Sequence, residues 1–378
     1  MATAYLDNAA TTPLCENAKR AMAESFEIFA NPSSTHSAGI ESARFIADCR
    51  ASVARALRCE AGNIVFESCG SEANNHAIRS ALALRARAKK RIITTDSEHP
   101  SVRETLFALS ENGYEIIEIP TVGGEIDIKR LESELSIGCA LVSIMHANNE
   151  TGAIYDIKSV RRAIDRSGSN ALLHCDDVQG FLKTPSVCSI CDYVSVSAHK
   201  IGGPKGIGAL YSSQKRVIPL IYGGEQENGR RAGTENITGI AGFAAACEQK
   251  MNDRSSAERV LALRDSAAEQ IKALFGDRAY ILEPRNRIGG MLTVSLEINL
   301  GGKRAGSEVL HNALSSRGVF VSFGSACHGA KKDNRVLDAY GVAPERSLSM
   351  LRISFGDHNT QDDVQLLMHA LANIEASR

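Results

Sequence analysis

The sequence of 378 residues contains no long uninterrupted hydrophobic segment. Nowhere do about 18 apolar residues run together, which is the length that a membrane-spanning helix needs. Residues 1–7 also lack the basic and apolar tract of a secretory signal peptide. We therefore expect a cytoplasmic protein that does not associate with a membrane.

The chain has no excess of one charge sign and no long block of like charges. Lysine and arginine number 43, aspartate and glutamate number 44, and alanines interrupt the densest basic stretch, residues 85–91. With 43% hydrophobic and 23% charged residues, the composition is typical of a globular protein and excludes disordered and fibrous classes. A broad basic surface is missing, so direct nucleic-acid binding is not expected.

The ten cysteines do not form a disulfide framework, because most are scattered through apolar stretches as reduced core thiols are. Cys188 and Cys191 form a CxxC motif, but no second pair or histidine cluster accompanies it, so no metal site is expected. Cys327 differs, since it lies among the small residues 324–329, next to His328. An accessible thiol of this kind suits a nucleophile, and the alternative is a small hydrophobic residue. A role for Cys327 as a cluster ligand is speculation.

Apolar runs alternate with longer amphipathic stretches between about residues 60 and 250. The apolar runs are residues 63–67, 91–95, 140–145, 171–175 and 193–196. Short apolar runs between helices are typical of buried parallel strands, so the pattern predicts an α/β sheet with helices on both faces. A polar stretch, residues 251–256, precedes a mixture of helices and strands that predicts a smaller α+β domain. We expect a large domain of residues 16–256 and a small domain of residues 1–15 and 257–378.

Lys200 and Asp176 each follow a predicted strand, and ligands of open α/β sheets bind beyond the carboxyl ends of the strands. A lysine there can form a Schiff base with a carbonyl cofactor, although a solvated lysine in a glycine-rich turn is the alternative. A carboxylate at the end of a buried strand is costly unless a cation pairs with it. A protonated pyridine nitrogen is such a cation, so the two residues together indicate pyridoxal phosphate.

Further polar residues follow other predicted strands. The small residues 68–73 precede a helix and form a plausible phosphate cradle, although such turns are common. His99 suits stacking or proton transfer, and its alternative is a turn histidine bonded to the backbone. The loop 146–152 contains more polar residues than a connecting loop needs, and the glycine-rich loop 223–236 is longer than a plain surface loop. Arg352 lies within an apolar strand, where it should meet a carboxylate in bidentate fashion.

With these residues in place, the chain resembles the cysteine desulfurases of the NifS/IscS type, in the class V aminotransferase group of fold-type I pyridoxal phosphate enzymes. The resemblance rests on YLDNAATT at residues 5–12, NPSSTH at residues 31–36 and the motifs described above, and it covers nearly the whole chain. It implies a mainly parallel seven-stranded sheet between helices, a homodimer and the cofactor pyridoxal 5'-phosphate.

The resemblance also implies roles around the cofactor ring. Lys200 would hold the cofactor as an imine, and Asp176 would pair with the ring nitrogen. Gln179 would approach the phenolic oxygen, His99 would stack on the ring, and Asn149 would line the site. The residues that would hold the phosphate are Gly70, Ser71, Ser197, His199 and, from the neighbouring subunit, Thr234.

For the reaction, the resemblance implies that Arg352 binds the carboxylate of L-cysteine and that Cys327 attacks its sulfur. Alanine would leave and a persulfide would remain on Cys327, with Lys200 as the base at carbon and His99 managing the thiol proton. The stretch between Cys327 and Arg352 would be a long mobile loop that carries the persulfide outward. Cys69 departs from the family, which usually has glycine there, and the role of His328 is open.

Three other functions remain as alternatives at this point. Two are enzymes, namely a selenocysteine lyase and another class V lyase or aminotransferase, and the third is a non-catalytic sulfur-relay scaffold. The sequence does not identify the sulfur acceptor, which would serve iron-sulfur cluster assembly, tRNA thiolation or DNA phosphorothioation.

Overall fold

The computed structural model describes residues 2–323 and 334–377, so Cys327 and His328 lie outside the described residues. The strands are β1 Ala4–Tyr5, β2 Ile64–Glu67, β3 Arg91–Thr95, β4 Glu115–Ile119, β5 Leu141–Met145, β6 Leu172–Asp176, β7 Tyr193–Ser197, β8 Gly208–Ser212, β9 Ala279–Leu282, β10 Met291–Leu296, β11 Asn299–Leu300, β12 Lys303–Arg304, β13 Val319–Phe320 and β14 Met350–Ser354. The helices are α1 Glu16–Glu24, α2 Ser37–Leu57, α3 Gly70–Leu84, α4 Pro100–Ser110, α5 Ile128–Ile137, α6 Ile157–Ser167, the single turn α7 Gln226–Gly229, α8 Ile237–Asn252, α9 Ser256–Phe275, α10 Ser307–Ser315, α11 Arg335–Tyr340, α12 Pro344–Ser347 and α13 Gln361–Ala376.

The central sheet has seven strands in the order β2-β8-β7-β6-β5-β3-β4. Strands β7, β6, β5, β3 and β4 are parallel to one another, and β8 runs antiparallel to both β7 and β2. The predicted mainly parallel α/β sheet is therefore confirmed. The five apolar runs correspond to β2, β3, β5, β6 and β7, whereas β4 and β8 were not identified from the pattern. Strand β4 lies at the sheet edge, and both glutamates of its sequence EIIEI, Glu115 and Glu118, are exposed, which interrupts the apolar run.

Helices cover both faces of this sheet, and alternate strand residues belong to two separate hydrophobic clusters. Ile92 packs with Ile78 and Leu106 of α3 and α4, while the next residue, Ile93, packs in the cluster that contains Val53 and Ile240 of α2 and α8. Successive side chains of a strand point to opposite faces, so a strand buried on both faces is apolar throughout. That is why the strands appear in the sequence as continuous apolar runs.

A further hydrophobic cluster unites the amino-terminal residues with the last third of the chain. Leu6 packs there with residues of α9, β10, β14 and α13. Strand β1 is parallel to β13, and the antiparallel strands β14, β10 and β9 form a second sheet. This cluster supports the proposed division at residues 15 and 257, and the boundaries themselves stay a prediction.

The expected long loop between Cys327 and Arg352 is partly wrong. Residues Arg335–Tyr340 and Pro344–Ser347 form the short helices α11 and α12, and strand β14 begins at Met350. Gly341 ends α11 with a φ of 91°, a conformation that favours glycine. Short helices of this length carry little periodic signal, which explains why the sequence pattern did not separate them from a loop.

Across residues 2–323 and 334–377, none of the helices combines the length and the apolar character needed to span a membrane.

Candidate active site

The candidate residues converge at one edge of the central sheet. Strands β2, β3, β5, β6 and β7 all end at this edge, because they run in the same direction. The candidate residues that follow those ends are Gly70, Ser71, His99, Asn149, Asp176, Gln179, Ser197, His199 and Lys200. The edge is thus the place where an open α/β sheet binds its ligand.

Lys200 lies in a helical turn that begins directly after β7. Its Nζ donates hydrogen bonds to the carbonyl oxygens of Ala9, at 2.6 Å, and Ala10, at 2.9 Å. Burial, with the positive charges of Lys183 and Arg352, lowers the pKa of Lys200 to about 7. A large fraction of the amine is therefore uncharged near neutral pH, as a nucleophile toward an aldehyde must be.

Asp176 and His99 are joined through two residues that the sequence analysis did not identify, Asn74 and Ser101. Asn74 Nδ2 donates to Oδ2 of Asp176 at 2.7 Å and to Oγ of Ser101 at 2.9 Å. Ser101 in turn approaches His99, with its Oγ 2.8 Å and its backbone N–H 3.1 Å from Nδ1. The second bond makes Nδ1 an acceptor, so the proton of the neutral ring is on Nε2.

The pKa of His99 is lowered by burial, although the charge of Asp176 acts in the opposite direction. The ring is therefore neutral at physiological pH and has one acceptor nitrogen and one donor nitrogen. Asp176 is 5% exposed, and its second oxygen accepts from the N–H of Val178 at 3.0 Å. Both of these donors to the carboxylate, from Asn74 and Val178, are neutral, so its charge is available to a cation.

The start of α3 forms a small turn beside the end of β7. A Cβ at position 70 would lie 2.6 Å from Cγ2 of Val178 and 3.5 Å from Cβ of Ser197, so only glycine brings the helix this close. Oγ of Ser197 is buried and has no partner among the described residues. Cys69 has extended backbone and caps the helix by accepting from the N–H of Glu72, so the missing family glycine is not required here.

The remaining phosphate candidates differ in accessibility. Ser71 is exposed in the first turn of α3, and Thr234 is exposed in the glycine-rich loop. His199 Nδ1 lies 3.2 Å from Oγ1 of Thr11, and burial together with the charge of Lys200 lowers the pKa of His199 to about 4. The neutral imidazole is thus a hydrogen-bond partner for an anion and not a cation. The contribution of Thr234 to a neighbouring subunit stays a prediction.

Arg352 is buried in β14, near the carboxyl end of the chain. Its side chain contacts a residue near the amino end and a residue of the polar loop after β5. Its Nη2 donates to Oδ1 of Asp7 at 2.9 Å, and its Nη1 donates to the carbonyl of Asn149 at 2.7 Å. The expected bidentate carboxylate is therefore not seen, since Asp7 binds through one nitrogen. Nε is buried without a partner among the described residues. A ligand carboxylate would satisfy that nitrogen.

Glu98 is a further buried carboxyl group that the sequence analysis passed over. Its Oε1 accepts from Oγ1 of Thr95 at 2.6 Å and from the N–H of Met145 at 3.0 Å, which ties the ends of β3 and β5 together. Burial raises the pKa of Glu98 to about 8. Its position in the sequence could have identified Glu98, because it is a charged residue that directly precedes His99 at the end of an otherwise buried strand. Asn74 gave a similar signal, as a polar residue on the buried face of α3.

The residues present fit pyridoxal 5'-phosphate. One end of the site offers the helix start at Gly70 and the unpartnered hydroxyl of Ser197, which suit a phosphate. The other end offers Asp176, a buried carboxylate bonded to neutral donors, which suits a protonated pyridine nitrogen. The amine of Lys200 supplies the group that reacts with an aldehyde.

Comparison with known proteins agrees with this geometry. The family model described as aminotransferase class-V matches residues 4–367. The chain therefore belongs to the class-V aminotransferase family, as the sequence resemblance predicted. Cysteine desulfurases of this family depend on pyridoxal phosphate, so the expected cofactor is confirmed.

Individual relatives cover nearly the full chain. The cysteine desulfurase IscS of Dictyoglomus turgidum is 36% identical, with 98% of this chain and 94% of that protein covered. The cysteine desulfurase NifS of Azotobacter vinelandii is 34% identical, with 100% and 93% covered. A solved structure described as a NifS-like protein matches with a TM-score of 0.89 at 33% identity and covers 99% of both chains. The predicted fold-type I architecture is thereby confirmed.

Proposed function

We propose that this protein is a pyridoxal phosphate-dependent cysteine desulfurase, which converts L-cysteine to L-alanine and retains the sulfur as a persulfide. The observation that carries the proposal is the position of Lys200. Its amine lies at the ligand-binding edge of the sheet, with a pKa lowered to about 7, in one site with Asp176 and Ser197. Relatives named cysteine desulfurase, at 34% to 36% identity over nearly the whole chain, support the same activity.

Bound pyridoxal phosphate supplies an electron sink that makes the α-proton of an amino acid acidic and weakens the bond between its β-carbon and sulfur. Asp176 would pair with the protonated ring nitrogen, because the described donors to its buried carboxylate are the neutral groups of Asn74 and Val178. Lys200 Nζ would accept the α-proton, which requires the uncharged amine that its lowered pKa provides. The residues that would hold the phosphate are Gly70, Ser71, Ser197 and His199.

Arg352 binds the carboxylate of L-cysteine. Its unpartnered Nε and its Nη2, which now contacts Asp7, are the nitrogens that a substrate carboxylate would engage. Such a pair of parallel hydrogen bonds is the usual geometry between a guanidinium and a carboxylate. Asn149 lies beside this position, since its carbonyl accepts from Nη1 of the same arginine.

Cys327 is the proposed sulfur acceptor within the enzyme. The thiolate attacks the sulfur of the bound cysteine, a new S–S bond forms, and the electrons of the broken C–S bond remain on the β-carbon, which is then protonated to give alanine. His99 Nε2 carries the proton of its neutral ring and exchanges it with the reacting thiol. Cys327 lies outside the described residues, and its role rests on the sequence.

The activity is tested by adding pyridoxal phosphate to the purified protein and following its visible absorption, then supplying L-cysteine with a reductant. We expect a visible band, followed by release of sulfide and alanine in equal amounts. Lys200→Ala should abolish the band. A wild-type protein that gains no band, or that turns over selenocysteine and not cysteine, would show that the proposed activity is wrong.

The nucleophile is tested separately from the cofactor. Cys327→Ser should keep the visible band yet release no sulfide from cysteine under reductant, because serine cannot accept sulfur. Cys59→Ser is the matched control, since Cys59 is a partly exposed thiol that does not line the cavity shared by Lys200 and Gln179, and it should retain turnover. Undiminished sulfide release by Cys327→Ser would remove Cys327 from the mechanism.

The assembly and the pathway follow from the same proposal. The protein would act as a cytoplasmic homodimer, in which Thr234 of one subunit reaches the phosphate held by the other. The persulfide would pass to an acceptor protein of iron-sulfur cluster assembly, tRNA thiolation or DNA phosphorothioation. Capture of the persulfide acceptor with the intact enzyme, followed by its identification, distinguishes among these pathways.

A further inference from the structure

Lys183 is a partly buried lysine that has no ion pair among the described residues. No carboxylate of the described residues lies within 4.0 Å of its Nζ, and the charged groups that act on its pKa are Lys250, Asp357 and Asp177. Burial lowers the pKa of Lys183 to about 8. Burying a charged lysine without an ion pair costs free energy, so we looked for a contact that explains its position.

A side-chain hydrogen bond connects Lys183 to the proposed cofactor site. Nζ donates to Oε1 of Gln179 at 3.3 Å, and Nε2 of the same carboxamide donates to the carbonyl of Ala9 at 2.6 Å. The carbonyl of Ala9 also accepts from Lys200 Nζ at 2.6 Å. Lys183, Gln179, Ala9 and Lys200 therefore form one continuous chain of hydrogen bonds.

This chain fixes which end of the Gln179 carboxamide faces the site. An ammonium group has three donors and no acceptor, so it can bond the oxygen of a carboxamide but not its nitrogen. When Lys200 reacts with a cofactor, it leaves the Ala9 carbonyl, and the amide nitrogen of Gln179 must then serve the cofactor as well. The Ala9 carbonyl, which accepts from Nε2, and the Lys183 ammonium, which donates to Oε1, then both disfavour the reversed amide.

The backbone places Lys183 for this purpose. Residues after β6 form a tight turn, in which the N–H of Phe181 bonds the carbonyl of Asp177 and the N–H of Lys183 bonds the carbonyl of Gly180. Leu182 has a φ of 56°, an unfavourable conformation for leucine, and Lys183 follows it directly. The turn brings Lys183 Nζ within hydrogen-bond distance of Gln179.

We propose that Lys183 is a positioning residue, which orients Gln179 so that its amide N–H is presented to the phenolic oxygen of bound pyridoxal phosphate. The inference rests on the proposed function. Lys183 approaches Gln179 from a cavity of about 320 Å³ that Lys250 and Asp357 also line. Lys200 and Gln179 line the same cavity, whereas His99, Asp176, Ser197 and Arg352 do not, so Lys183 reaches Gln179 from the side on which Lys200 lies.

The experiment compares Lys183→Met with Lys183→Gln in the cofactor-loaded protein. Methionine removes the charge and the donor, whereas glutamine removes the charge and keeps an N–H donor for Gln179. The measurement is the pH at which the visible band of the lysine-bound cofactor changes. The charged groups that face Lys200 are Lys183, Arg352, Asp176 and Asp7, and only the first is altered.

In Lys183→Met the phenolic oxygen loses an oriented donor, its anionic form is less stable, and the nearby imine proton is held more tightly. We expect the transition to move up by about one pH unit, with an affinity for pyridoxal phosphate weakened about tenfold. Lys183→Gln should move the transition up by less, because it loses the charge that lowers the pKa of Lys200 but keeps an N–H donor for Gln179. Lys250→Met is the matched control, because Lys250 lines the same cavity but bonds Asp357 and Ser256.

Each result decides the question. Equal shifts in Lys183→Met and Lys183→Gln would mean that the charge acts and not the orientation, and this would overturn the proposal. An unchanged transition in Lys183→Met would overturn it as well, while leaving the proposed function intact. A wild-type protein without a visible band would overturn the proposed cofactor, and the role of Lys183 with it.

Discussion

Asn74 Nδ2 lies 2.7 Å from Oδ2 of Asp176 and 2.9 Å from Oγ of Ser101, so one amide holds two parts of the proposed site. It supports the carboxylate that would face the pyridine nitrogen and the serine that fixes the ring of His99. The residue is buried in the first turns of α3, the helix that also begins the phosphate cradle. The site is thus linked from its phosphate end to its ring end by a single helix.

Replacement of Asn74 by alanine should weaken binding of pyridoxal phosphate. The carboxylate of Asp176 would lose a buried donor, which corresponds to a loss of about tenfold in affinity. The affinity is measured by titration of the visible absorption. Asn75→Ala is the matched control, because Asn75 bonds Thr105 and the backbone of Ser71 instead. Equal affinities for both variants would contradict the role of Asn74.

Replacement of Gly70 by alanine should destabilise the protein, although alanine is normally the better helix residue. The added Cβ would lie 2.6 Å from Cγ2 of Val178, and the overlap should cost about 1–3 kcal/mol in the free energy of unfolding. Urea denaturation measures the loss. The second substitution Val178→Ala should recover most of it, and Gly62→Ala, where no atom lies within 4 Å, should not destabilise.

The reaction of the cofactor-free protein with pyridoxal phosphate should depend on pH through Lys200. Its pKa is lowered from 10.5 to about 7, so the uncharged amine accumulates as the pH rises toward 7 and is nearly complete above 8. The rate of band formation should therefore rise about tenfold per pH unit below pH 7 and then level off. Stopped-flow absorption measures the rate, with Nα-acetyl-lysine as the reference amine. A rate that continues to rise above about pH 9, as for the reference, would contradict the shift.

Glu98 should make the folded protein less stable as the pH rises. Its pKa is raised from 4.5 to about 8, so the folded state keeps a proton that the unfolded chain releases above about pH 4.5. This contribution to stability is complete below pH 4.5 and is lost progressively up to about pH 8, at no more than about 1.4 kcal/mol per pH unit.

The test is urea unfolding of Glu98→Gln at several pH values, because glutamine cannot ionise. The free-energy difference between wild type and this variant should shift against the wild type from about pH 5 to 8. Glu111→Gln, which changes an exposed carboxylate, should show the same pH dependence as the wild type. A pH-independent difference for Glu98→Gln would contradict the raised pKa.

The strands that build the site could be predicted from local pattern. Residues 91–95 were predicted as a strand and are β3 with the same bounds, because side chains buried on both faces leave a continuous apolar run. The turn that carries Lys200 was placed at the end of β7 for the same reason. Strand β8, the reversed member of the sheet, has three small residues among its five, so its sequence lacks the continuous apolar run of the other strands.

The partners of these residues could not be predicted in the same way. Asn74 meets Asp176 across 102 positions of sequence, and Arg352 meets Asp7 across 345. Neither pair leaves a periodic signal, because the contact depends on how strands and helices pack and not on neighbouring residues. For the same reason, the sequence predicted a bidentate carboxylate for Arg352, whereas the structure shows a single hydrogen bond to Asp7.

The family, the positions along the chain of the strands that carry chemistry, and the residue types of the site could be read from the sequence, since each is encoded in short local motifs. The folded structure was needed to show that Asn74 joins Asp176 to His99, that Glu98 is buried, and that Lys183 bonds Gln179. These relations depend on burial and on side chains brought together by packing. Burial sets the pKa of Lys200 and Glu98, and it exists only once the chain has folded.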